Sequence, residues 1–146
     1  MSRNIYSCFQ LAKMIVTKVK EIETQKKKTI LVADDEPLTF GLIEEFFHEA
    51  NLSCNILRAS TGRTAYAIAA SRMPDLIITD WLMPELNGLD LIKQLKANPQ
   101  TRDIPVIMIT GALFKSNEFN EIIAAGAIDC INKPFEDQGE NGVGPS

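Results

Sequence analysis

A doubly wound α/β domain built on one five-stranded parallel sheet is the fold this sequence predicts. Three observations predict it. From Thr29 onward short apolar runs alternate with amphipathic stretches, the rhythm of successive βαβ units. Three of the runs are rich in Ile and Val and lack the in/out alternation of a half-exposed strand, as expected of strands covered on both faces. The residues that follow the runs are acidic, hydroxyl-bearing or cationic, and in such a sheet chemistry gathers at the carboxyl ends of the strands.

The strand-like runs fall at residues 30–33, 54–57, 76–79, 106–109 and 129–131. Between them, residues 38–50, 64–71, 89–96 and 116–125 read as helices. Ile43, Phe46, Phe47 and Ala50 are spaced for one helical face, as are Leu89, Ile92 and Leu95, and again Phe119, Ile122 and Ile123. Gly126 stands where the last of these helices would end. There is no internal repeat. The basic run 26–28 reads as a solvated helix end, and His48 as a residue beside the acidic edge or in solvent.

Composition narrows the class. A chain of 146 residues can bury roughly two thirds of its unfolded surface and needs no covalent staple. Its net charge of −4 argues against nucleic acid and anionic membrane as general partners. No apolar stretch approaches the roughly 18 residues of a membrane span. The start is broken up by Arg3, Asn4, Ser7, Gln10 and Lys13, unlike a secretory leader. Cys8, Cys54 and Cys130 lie far apart, so neither a disulfide framework nor a zinc site is expected, and a reducing cytoplasm fits.

The ends of the predicted strands carry Asp34, Asp35 and Glu36, then Asp80, then Thr110 and Gly111, then Lys133, Pro134 and Phe135. Singly, each is ordinary: an acidic pair often caps a turn, and Thr often ends a strand. Together they place an acidic pair, a single Asp, a hydroxyl and a Lys on one edge. Three carboxylates so crowded repel, and either protonation of one of them or a divalent cation relieves them. Hard oxygen donors suit Mg²⁺, which takes one or two protein carboxylates plus a phosphate. A carboxylate can also attack phosphorus and form an acyl phosphate, with cation and hydroxyl neutralising the phosphoryl oxygens.

From about Thr29 to Phe135 the sequence resembles the receiver domain of two-component response regulators. The resemblance rests on the segments 30–37 (ILVADDEP) and 75–84 (DLIITDWLMP), on Gly88, on 105–110 (PVIMIT), on Ala125, Gly126 and Ala127, and on Lys133, Pro134 and Phe135. It implies a flavodoxin-like receiver fold with strand order 2-1-3-4-5. It further implies Asp80 as phosphoacceptor, taking a phosphoryl group from a phosphohistidine of a sensor histidine kinase or a histidine phosphotransfer protein. Asp34, Asp35, Asp80 and the backbone carbonyl of Leu82 would hold Mg²⁺. Lys133 would pair with the phosphoryl group, Thr110 would report it, and the Lys133–Pro134 bond is expected to be cis. Leu82 and Ala112 occupy the positions that tune hydrolysis in the family. Neither can orient a water, so slow loss of the phosphoryl group is expected.

Two departures stand out. The family's aromatic switch residue, three positions before the lysine, is here Cys130, read as a small buried hydrophobe. After Phe135 the family continues into a fifth helix, whereas this chain has a polar tail with three glycines and a proline. The N-terminus offers a substitute: Cys8, Phe9, Leu11, Ala12, Ile15, Val16, Val19 and Ile22 fall within roughly 160° of a helical wheel, a core-facing stripe. We therefore expect residues 1–28 to form an amphipathic helix and its connection, with the helix in the slot of the missing one and Phe9 near Phe135. Residues 29–136 would form the receiver domain and 137–146 a flexible tail. A helix swapped into a second copy, giving a homodimer, and a free helix are the alternatives.

Other functions fit less well. A haloacid-type phosphatase needs a second acid where Leu82 stands, so an enzyme of that kind is not expected. A flavin or dinucleotide binder needs a glycine-rich loop after the first strand, where this chain has Asp-Asp-Glu-Pro. The remaining rival is a receiver-like interaction module that works without phosphorylation.

Overall fold

The computed structural model describes residues 8–22, 27–111 and 116–132. Five helices and five strands alternate as α1 (Cys8–Ile22), β1 (Lys28–Ala33), α2 (Pro37–Glu49), β2 (Cys54–Ala59), α3 (Gly62–Arg72), β3 (Leu76–Asp80), α4 (Gly88–Ala97), β4 (Val106–Thr110), α5 (Ser116–Ala125) and β5 (Asp129–Asn132). Every strand is at least one residue longer than its apolar run, because hydrogen bonding to a neighbour extends past the last apolar side chain. All neighbours pair in parallel and the order is β2-β1-β3-β4-β5. From β1 the chain moves outward to β2 and then crosses back to β3. The carboxyl ends of β1 and β3 therefore flank the point where the winding reverses, the place where open α/β sheets bind ligands.

Residues along each strand alternate between two cores. Leu31 and Ala33 of β1, Ile77 of β3, Val106 and Met108 of β4 and Cys130 of β5 join Ala65, Ala69, Leu91, Ile92, Leu95 and Ile122 of α3, α4 and α5. Ile30, Val32, Leu76, Ile78, Ile107, Ile109 and Ile131 face the other way, onto Phe40, Ile43 and Phe47 of α2 and Leu11, Ile15 and Val19 of α1. Strands β3 and β4 are buried throughout, which is why they read as unbroken apolar runs. The edge strand β2 is only partly covered.

The N-terminal helix thus covers the sheet face it shares with α2, as its stripe predicted. Leu11, Ile15 and Val19 are no more than 1% exposed. Each such side chain contributes about 1.5–3 kcal/mol at most. Lys13, Met14, Thr17 and Lys18 border a groove of about 380 Å³ whose other wall is Ile107, Ile128 and Asp129, so α1 lies over the β4–β5 side. Phe135 and the tail 137–146 lie outside the described residues.

Local chemistry sets the helix ends. Pro37 opens α2, where its missing N–H leaves no intrahelical bond unmade. Thr61 caps α3 and Asn87 caps α4, each side chain accepting a backbone N–H. Gly126 ends α5 at φ +127, a conformation that favours glycine. His48 is in the last turn of α2 and exposed, so of the two places expected for it solvent is the right one: α2 starts at the acidic edge and carries His48 away from it.

Candidate acidic phosphoacceptor site

Three strand ends build the site. At the end of β1, Asp34 is fully buried, and its backbone N–H donates to the Ala59 carbonyl at 2.9 Å, extending the ladder to β2 by one residue. Its Oδ1 accepts the Glu36 N–H at 2.8 Å, a turn that leads the chain into Pro37 and α2. Asp35 stands exposed beside it. At the end of β3, Asp80 is 5% exposed. Its Oδ1 accepts the Trp81 N–H at 2.7 Å, and its carbonyl accepts the Thr79 hydroxyl at 3.0 Å. At the end of β4, Thr110 is buried, and its carbonyl faces the Asn132 side-chain amide of β5 at 3.4 Å.

Carboxylate oxygens of Asp34, Asp35 and Asp80 lie within 4.8 Å of one another. Two like charges at that separation cost about 3 kcal/mol per pair at an effective dielectric of about 20. Burial of two of the three carboxylates keeps water from screening that cost. The donor set fits Mg²⁺: hard oxygens only, no nitrogen or sulfur, with one exposed member leaving room for retained waters.

Of the residues singled out from the sequence, Asp34, Asp35 and Asp80 come together, and Thr110 stands one residue beyond the Asp80–Ile109 pairing on the neighbouring strand. Leu82 is in the loop after β3 with its side chain 62% exposed. Lys133, with the bond to Pro134, and Ala112 lie outside the described residues. Cys130 is buried as read, and burial, reinforced by neighbouring Asp129, pushes its thiol up to about 12. A thiol so held is neutral and inert at ordinary pH.

Residue types alone did not reveal the groups that hold the two buried acids, the N–H groups of Glu36 and Trp81, nor the side chains of Thr79 and Asn132, which donate to the backbone carbonyls of Asp80 and Thr110. The Asp-Asp-Glu-Pro turn was a usable signal for the first. Backbone donors otherwise leave no trace in residue identity.

Comparison with known proteins agrees with this geometry. The family model for the response regulator receiver domain matches residues 30–139. The phosphate regulon transcriptional regulatory protein PhoB of Pseudomonas aeruginosa is 40% identical over 110 residues, covering 74% of this chain and 46% of its own length. The chemotaxis protein CheY1 of Helicobacter pylori is 36% identical over 110 residues, covering 75% of this chain and 87% of its own. The signal receiver domain of a DNA-binding response regulator from Colwellia psychrerythraea superposes with a TM-score of 0.67 at 27% identity, over 74% of this chain and 87% of that one. The chain spans less than half the length of PhoB, and 23% of the response regulator PleD. Receiver domains are signalling modules of two-component systems that bind Mg²⁺ at a cluster of acidic residues, and this chain belongs to the response regulator receiver domain family.

Proposed function

We propose that this chain accepts a phosphoryl group on Asp80 from a phosphohistidine of a sensor histidine kinase or histidine phosphotransfer protein, in a Mg²⁺-dependent phosphorelay in the cytoplasm. The observation that carries the reading is the convergence of three carboxylates within 4.8 Å at the reversal point of the sheet. Asp34, Asp35, Asp80 and the Leu82 carbonyl would hold the cation, which when bound neutralises charge on the incoming phosphoryl oxygens. The Trp81 N–H steadies the Asp80 carboxylate. One Asp80 oxygen attacks phosphorus as the bond from phosphorus to the donor imidazole breaks, leaving an acyl phosphate and a histidine that keeps the electron pair. The Thr110 hydroxyl donates to a phosphoryl oxygen, and Lys133 pairs with another. The exposed Leu82 side chain offers no acid or base for turnover, so the product is a signalling state rather than a hydrolysed substrate. Its lifetime is long; a half-life of seconds would count against these roles.

The same reading divides the chain into the leading helix and connection (1–28), the receiver domain (29–136) and the tail (137–146). Burial of Leu11, Ile15 and Val19 on the chain's own sheet supports the unswapped arrangement, and a mass that doubles with concentration would favour the swapped homodimer. A second reading, an interaction module indifferent to phosphorylation, draws on one observation: the buried Cys130 in place of a ring that swings. Trp81 separates the two readings, being the only tryptophan and half-buried beside Asp80. Its emission should respond to Mg²⁺ and then to acetyl phosphate, with the second response lost in Asp80→Asn. A silent parent protein would favour the interaction module.

A further inference from the structure

The loop between β3 and α4 carries Leu82 and contains an unusual turn. Glu85 has φ +72, although it is not glycine. The Leu86 N–H donates to the Pro84 carbonyl at 2.8 Å, two residues back. That bond closes a γ-turn around Glu85, and its positive-φ form is rare and strained. Such strain persists only where the surroundings impose it.

Two glycines let neighbouring backbone come close to this loop. Gly88, the first residue of α4, donates its N–H to the Trp81 carbonyl at 2.6 Å, and a Cβ there would stand 2.1 Å from the Asp80 carbonyl oxygen. Gly62 is the first residue of α3, on the far side of the loop. Its N–H points to the Pro84 carbonyl at 3.4 Å, and a Cβ there would stand 1.8 Å from the Leu86 carbonyl oxygen and 2.6 Å from its carbon. Both obstacles are backbone atoms, so no rotamer change relieves them. Gly62 is not in the left-handed region, so its backbone conformation does not call for glycine. Helix propensity favours alanine over glycine in a helix. What requires glycine at this position is the closeness of the loop. The Thr61 side chain, accepting the Thr64 N–H at 3.1 Å, fixes Gly62 as the first residue of α3.

We infer that Gly62 is a positioning residue: by letting the start of α3 press on the Pro84–Leu86 turn, it sets where the loop carries the Leu82 backbone relative to Asp80. The consequence for Mg²⁺ rests on the proposed function, whereas the loop contact does not. The test compares Gly62→Ala, Glu85→Gly and the double variant in the full chain. Backbone amide shifts of residues 81–88 are recorded without metal, and Mg²⁺ affinity is read from Trp81 emission. We expect Gly62→Ala to displace the amide signals of residues 82–87 and to weaken Mg²⁺ by about 10- to 100-fold, the loss typical of removing a group that orients a ligand. Glu85→Gly alone should leave affinity near that of the parent. The double variant should recover part of the loss, because a relaxed turn can yield to the new methyl group. Shifts confined to α3, with affinity unchanged, would overturn the inference. A parent protein blind to Mg²⁺ defeats the proposed function, and the metal-free shifts then decide the loop contact by themselves. Should Gly62→Ala fail to fold, refolding of the double variant supports the contact and continued unfolding overturns it.

Discussion

The two faces of the sheet are covered in different ways. On one, α3, α4 and α5 follow one another along the chain, and small residues such as Ala65 and Ala69 let α3 lie close to the strands. On the other, α2 is joined by α1, which arrives from the opposite end of the sequence and brings Leu11, Ile15 and Val19. The strands do not distinguish the two cases: Ile107, Ile109 and Ile131 need apolar cover, and any helix with a sufficient stripe, delivered by a connection of the right length, supplies it. Chain order decides only which segment carries the burden. The face with α1 is therefore the one whose integrity depends on a segment outside the family-matched region, which begins at residue 30.

Removing residues 1–28 should harm the α1–α2 face most severely. It strips α1 from the fully buried Ile30, Ile78, Ile107 and Ile131, and cooperative thermal unfolding should be lost or its midpoint fall by more than 10 °C, a shift of the size expected for several kcal/mol in a domain of this length. An undiminished midpoint would mean that α1 is dispensable. A smaller step places equal lesions on the two faces. Ile15→Ala and Ile122→Ala each truncate a side chain with no exposure, and each should cost about 2–5 kcal/mol in urea unfolding. A cost for Ile15→Ala near zero, beside a normal cost for Ile122→Ala, would show that α1 is not seated.

The next effect depends on pH. Cys130 is buried on the face of α3, α4 and α5, and its thiol is raised from 9.0 to about 12 by burial first and by Asp129 second. With the folded value above the unfolded one, its contribution is complete below pH 9.0 and is lost as pH rises toward about 12. Stability should fall by about 1.4 kcal/mol per pH unit in that window, and Cys130→Ala should remove this component of the slope. Identical slopes in parent and variant would contradict it. The smallest effect lies outside both cores. Arg58 and Glu44 pair at 2.7 Å but stand 55% and 41% exposed, with the guanidinium 5.2 Å from the Phe40 ring centroid. Arg58→Ala should cost no more than about 1 kcal/mol, and less in high salt.

How much of this was legible in the sequence follows from burial. Strands β3 and β4 announced themselves because parallel strands covered on both faces have no polar side to show. The acidic triad was legible because strand ends converge by topology, so four separate places in the chain could be assigned to one edge without coordinates. The stripe of α1 was legible for the same reason as any amphipathic helix. Contacts between backbone atoms were not. The turn at Glu85 and the closeness of Gly62 to Leu86 depend on two loops meeting in space, and no residue type spells that out. Lys96 is a similar case. A lysine near the end of a helix reads as solvated, yet its Nζ donates to the carbonyls of Arg102 and Ile104 at 2.9 Å, and burial lowers its pKa against the opposing pull of Asp103.

Asp80, at the meeting point of three carboxylates, is proposed to take up a phosphoryl group in a Mg²⁺-dependent reaction. The most direct measurement is the intact mass of the chain after incubation with acetyl phosphate, with and without Mg²⁺, for the parent and for Asp80→Asn. The parent should gain the mass of a single phosphoryl group with Mg²⁺ and stay unmodified without it, and Asp80→Asn should stay unmodified in both. An unmodified parent in the presence of Mg²⁺, or an Asp80→Asn variant that gains the group as readily, would contradict it.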